Sequence, residues 1–103
     1  MSVVVTAVFH PAAGRTADLV DALRASIPAV HEEQGCQLYA IHDAEDGTIT
    51  MIEKWESAED LAAHASGAAV EGVRAAVAGL LAQAPTVTSM TPVPAGTPER
   101  GEL

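Results

Sequence analysis

Gly35-Cys-Gln-Leu-Tyr-Ala-Ile-His-Asp-Ala-Glu-Asp-Gly-Thr-Ile-Thr-Met-Ile-Glu-Lys-Trp-Glu-Ser-Ala-Glu-Asp-Leu-Ala-Ala-His64 is the stretch that decides the fold of this chain. Two runs rich in β-branched and aromatic residues flank Asp46-Gly47, where glycine accepts the positive φ of a tight hairpin at no steric cost. The spacing predicts a strand over 36–43, a hairpin, and a second strand ending at Trp55. Ser57-Ala-Glu-Asp60 then opens a helix that carries His64, with Asp60 standing where a capping box prefers Glu or Gln. Period-two alternation places Cys36, Leu38, Ala40 and His42 on one face of the first strand, with Gln37, Tyr39, Ile41 and Asp43 on the other. In the second strand Ile49, Met51, Glu53 and Trp55 share a face, and Glu53 is the odd member of that apolar row.

Working outward, Ser2 to His10 is dense in β-branched residues and stops at Pro11, which marks a strand. Its weak alternation implies burial on both faces. Val20, Leu23, Ile27 and Val30 recur at helical steps behind Thr16, a candidate N-cap, and Gly35 is the natural stop. Pro28 is expected to kink or split this helix near Ser26, since it cannot donate to the carbonyl four residues back. Downstream, Gly67 is expected to break the helix that follows Ser57. A second stripe, Val70, Val73, Val77, Leu80 and Leu81, predicts helix over 68–83, ended by Pro85. Thr86 to Val93 alternates weakly and reads as a fourth strand with Pro92 at a sheet edge.

The element order β, α, β, β, broken α, β is the split βαβ arrangement of ferredoxin-like α+β domains, an antiparallel sheet with helices on one face. The domain occupies 1–93. Residues 94–103, with no core pattern, form a C-terminal tail expected to be flexible or packed on a partner subunit. The uncovered sheet face is apolar enough to predict a homodimer that pairs two sheets.

Composition narrows the function. Five basic residues against fourteen acidic ones give a net charge of −9, a poor match to nucleic acid or anionic lipid. At 49% apolar and 18% charged residues the chain is globular, yet Phe9, Tyr39 and Trp55 are its only aromatics. Cys36 is alone, so an internal disulfide is excluded. Neither a leader nor a membrane-spanning run is apparent, and a soluble cytoplasmic protein is the expectation. His10, His31, His42 and His64 show no ligand spacing, so no metal site is expected. There is also no phosphate-binding glycine loop and no nucleophile elbow.

Two motifs in this chain, Glu33-Gln-Gly-Cys-Gln-Leu-Tyr39 and Glu53-Lys-Trp-Glu-Ser-Ala-Glu-Asp-Leu-Ala-Ala-His64, resemble the antibiotic biosynthesis monooxygenase family, and the quinol monooxygenases within it. The family pattern is Glu-x-Gly-Cys-x-x-Tyr, then Glu-x-Trp on a strand, then His nine residues after the Trp, and the likeness runs from Val3 to about Val93. The resemblance implies a dimeric α+β barrel with a pocket between sheet and helices. It also implies oxygenation of a small electron-rich aromatic, a quinol, phenol or anthrone, by dioxygen without metal or flavin. The protein's task is then to bind a flat apolar molecule, take a proton and stabilise the anion. Haem-degrading relatives use an Asn on the first strand, a Trp where His64 stands and a His ten residues later. Here the first strand has no Asn and the last position is Arg74, so haem is not expected. Other relatives are isomerases or have no known activity, which leaves an isomerase of a small oxygenated metabolite and a non-catalytic dimeric ligand-binding domain as alternatives.

His64 is the candidate base or hydrogen-bond donor, since an imidazole titrates near neutrality. The competing reading is a structural tie to a strand group such as Glu53. Trp55, Tyr39, Glu53 and His10 are the candidate substrate-binding residues. For each a plainer role exists: Trp55 as core, Tyr39 as a packed strand residue, Glu53 as a paired structural carboxylate, His10 as a solvated strand end. His31 and His42 read as surface residues and Cys36 as core filler.

Overall fold

The computed structural model describes residues 1–103. Four strands, β1 (Val3–Phe9), β2 (Cys36–Asp43), β3 (Ile49–Trp55) and β4 (Thr86–Met90), form one sheet in the order β2-β3-β1-β4. Every neighbouring pair is antiparallel. Helices α1 (Thr16–His31), α2 (Ala58–Ala65) and α3 (Ala68–Val77) supply the other layer, with one further turn, α4 (Pro98–Gly101), in the tail. This is the ferredoxin-like α+β architecture that the element order predicts. No helix is long and apolar enough to cross a membrane.

The core follows from strand alternation. Val5, Ala7 and Phe9 lie opposite Glu53, Met51 and Ile49, and this face meets Leu19, Leu23 and Val30 of α1 and Val73 and Val77 of α3. β3 alternates buried and half-buried residues along its whole length, so the face that holds Glu53 is the inner one. Val4, Thr6, Val8, Ala40 and Ile52 take the opposite face, which no helix covers.

Five local expectations are corrected. α1 runs unbroken through Pro28, where the missing N–H costs one helical bond near the exposed last turn and the helix continues to His31. Thr16 is already helical; the cap position belongs to Arg15, whose side chain instead bonds Asp18 at 2.7 Å. A register shift between Cys36 and Leu38 puts Cys36 opposite Trp55, on the same face as Tyr39 rather than with Leu38. α3 stops at Val77 and not near Gln83, because Gly79 takes φ +80°. Leu80 closes a turn back to the Val77 carbonyl, and the chain then runs alongside the end of β1: Ala12 N–H donates to the Leu80 carbonyl at 2.8 Å and Ala82 N–H to that of His10 at 2.7 Å. β4 ends at Met90, short of Val93.

Candidate active site

Two short helices broken at Gly67 cover less of the sheet than one long helix would. Between them and the inner face lies a cavity of about 490 Å³. Its walls are largely apolar, from Val5, Ala7 and Phe9 of β1, Leu61 of α2, Val73 and Val77 of α3, and Val87 of β4. Tyr39, Glu53, His64, Arg74 and Ser89 are the polar groups on the wall. An apolar chamber with a few convergent polar groups is the form a small-molecule site takes.

His64 is placed by the start of its helix. Ser57 accepts the N–H of Asp60, which fixes the first turn of α2, and His64 follows on the sheet-facing side with only 5% of its surface exposed. Its Nδ1 lies 2.6 Å from Glu33 Oε1, in the loop after α1. The ring leans on Trp55 at 4.5 Å between centroids and meets Tyr39 edge-on at 5.5 Å. Trp55 in turn donates its indole N–H to Glu53 at 2.9 Å. Nε2 of His64 and the Tyr39 hydroxyl have no protein partner, yet no buried side-chain polar atom is unpaired, so both reach open space.

Burial sets the charge states around this cluster. It pushes the Glu53 carboxyl above the usual carboxylate range, against the opposing pull of the Trp55 hydrogen bond and of His64. Burial also raises the Tyr39 phenol far above its ordinary value, and the negative fields of Glu53 and Glu33 add to this. Tyr39 therefore stays protonated and able to donate. The Cys36 thiol is raised by burial, then by Glu33 and Glu53, which keeps it unreactive.

Three of the five site residues expected from sequence, His64, Tyr39 and Glu53, converge on the cavity. Trp55 does not line it: the side chain is 0% exposed and stands behind Glu53 and His64, holding both. His10 lies outside the cavity at the end of β1, with Nε2 3.4 Å from Thr86 Oγ1. The tie on His64 goes to Glu33 rather than to Glu53. Sequence reasoning missed Glu33, which it assigned to the end of a helix, and Arg74, which it used only to argue against haem. Glu33 stands at the first position of the Glu-x-Gly-Cys motif, and Arg74 adjoins the Val70–Val73–Val77 stripe, so both had a signal. Arg74 is half-exposed at the rim and paired with Glu71. No group of three or more His, Cys, Asp or Glu side chains comes together as metal ligands would.

A family model for antibiotic biosynthesis monooxygenase matches residues 2–82. No curated protein matches the chain in sequence. Among solved structures, Rv0793 of Mycobacterium tuberculosis is 28% identical with a TM-score of 0.83, over 94% of this chain and 100% of that one. SO0527 of Shewanella oneidensis is 25% identical with a TM-score of 0.77, over 86% of this chain and 88% of its own. A candidate antibiotic biosynthesis monooxygenase of Caulobacter crescentus shares the fold at 21% identity and a TM-score of 0.76, with 86% and 87% covered.

Proposed function

Because the chain belongs to the antibiotic biosynthesis monooxygenase family, we propose that it oxygenates a small electron-rich phenol, quinol or anthrone, drawing the electrons for dioxygen from the substrate itself. The observation that carries this reading is His64: one ring nitrogen is fixed by Glu33 at 2.6 Å while the ring lines an apolar cavity of about 490 Å³. A carboxylate on Nδ1 holds the ring in one orientation and favours the tautomer whose Nε2 has a free lone pair.

In the proposed reaction Nε2 accepts the phenolic proton, and Glu33 stabilises the imidazolium that forms. The phenolate is met by the protonated Tyr39 hydroxyl, a donor whose raised pKa keeps it from ionising in competition. Apolar walls exclude water and fit a planar ring. The anion then passes an electron to dioxygen, the radical pair combines at a ring carbon, and the peroxide collapses. One oxygen atom stays on the ring as a quinone carbonyl and the other leaves as water, so one phenol and one dioxygen give one quinone and one water.

Oxygen uptake by the metal-stripped protein against quinols and anthrones tests the reading. His64→Ala is expected to lower the rate on the order of 10²–10⁴-fold, the range for losing a positioned base. Uptake unaffected by that substitution would demote His64 to a tie between helix and loop. Turnover without oxygen uptake would point to an isomerase, and binding without turnover to a ligand carrier.

A further inference from the structure

His64 lines two separate spaces. One is the apolar cavity; the other is an open cleft on the outside of α2, bordered by Glu33, Gln34, Asp60 and Ala63. His64 is the one residue common to both linings. The imidazole therefore stands between the two spaces, with Nδ1 bonded to Glu33 at 2.6 Å and Nε2 without a protein partner. The Glu33 side chain retains 23% of its exposure, against 6% for His64, so the pair leads from a buried ring to water at the cleft.

From this geometry we infer that His64 and Glu33 form a proton path through the cavity wall, a role for Glu33 that rests on the oxygenase reading above. A phenol that docks against the apolar wall must lose its proton to somewhere, and a proton kept on buried His64 would stay beside the anion that it left. The path removes it. Nε2 takes the phenolic proton, and Nδ1 of the imidazolium then gives its own to a Glu33 carboxylate oxygen, which releases it to the cleft. Oxygenation of a phenol to a quinone and water has no net proton change, because the collapsing peroxide needs a proton for the departing water. The path then runs inward and restores the starting tautomer of His64. Glu53, the other carboxyl at the site, is buried, accepts the Trp55 indole N–H and does not border the cleft. Glu33 acts through His64 and is a positioning and relay residue, without substrate contact of its own.

The test separates outward transfer from turnover by withholding oxygen. Catechol is mixed anaerobically with wild type, Glu33→Gln and Glu33→Asp, while phenolate absorbance reports deprotonation in the cavity and a dye reports protons in bulk water. In the wild type both signals rise together. Glu33→Gln keeps a hydrogen-bond acceptor for Nδ1 but cannot take a proton, so the dye should lag the phenolate signal by about tenfold or more. Added formate or Glu33→Asp should restore the bulk signal. Proton release as prompt in Glu33→Gln as in wild type, with phenolate formed in both, would overturn the path and leave the oxygenase reading standing. No phenolate in any of the three proteins would overturn the oxygenase reading, and the path with it.

Discussion

Glu53 is the carboxyl whose surroundings most oppose its charge. Burial raises its pKa in the folded protein, so between the ordinary carboxylate value and that raised value the native state binds more protons than the unfolded chain. The contribution of Glu53 to stability is then fully present at acid pH, falls as pH rises through that window, and stays lower above it. Glu53→Gln removes the loss while keeping an acceptor for the Trp55 indole. Its melting temperature should exceed the wild-type value by a few degrees at pH 7, and the two should converge below the ordinary carboxylate range in thermal denaturation followed by circular dichroism. Glu53 was legible in the sequence because a carboxylate interrupts the row Ile49, Met51, Trp55. Glu33 had only its place in the Glu-x-Gly-Cys motif to mark it, since an acid near a helix end reads as solvated and its partner lies 31 residues away. Alternation reports which way a side chain faces, and only tertiary structure reports what it meets.

At the level of elements, Gly35 holds the loop that presents Glu33. It takes φ +80°, and a Cβ there would sit 2.6 Å from Asp60 Cβ and 2.2 Å from its Oδ2. Gly35→Ala combines left-handed strain with a collision against the first turn of α2, a cost of about 1–3 kcal/mol. A domain of this size should lose roughly 4–8 °C per kcal/mol in a melting experiment. Activity should fall further than stability explains, since the loop and α2 carry the two halves of the Glu33–His64 pair. The strands, the hairpin and the break at Gly67 were legible because Asp46-Gly47 and the Ser57 cap leave local signatures. The bulge at Gln37 and the turn that takes Leu80 and Leu81 out of the helix were not. A bulge shifts the pairing without altering composition, and the apolar pair fits a helical stripe as well as it fits the bridge to Pro11.

For the molecule as a whole, the open sheet face is the surface left to explain. Thr6, Ala40 and Ile52 form one row across it, with Val4 and Val8 on either side, and no helix of this chain covers them. Light scattering after size exclusion should give twice the chain mass. Ile52→Glu, which buries a charge in that pairing, should give a single-chain mass while leaving the cavity residues in place. A wild-type protein that runs as a single chain at micromolar concentration would remove the sheet-to-sheet dimer. The element order made the fold legible, but neither the cavity nor its contents followed from it, because they depend on α3 ending two turns early and on which side of β2 the bulge turns Tyr39.

Every residue of β4 is exposed, and the strand pairs only with β1, yet Val87 and Ser89 belong to the cavity wall. The chamber is thus bordered on one side by the segment with least to lose by detaching, and access to it is a matter of time as well as of shape. Fraying of such an edge costs much less than global unfolding, so a ligand would enter and leave on the clock of β4 alone. Amide hydrogen exchange should show Thr86–Met90 exchanging well before β1 and β3, and a bound catechol should slow these amides without changing the rest of the sheet.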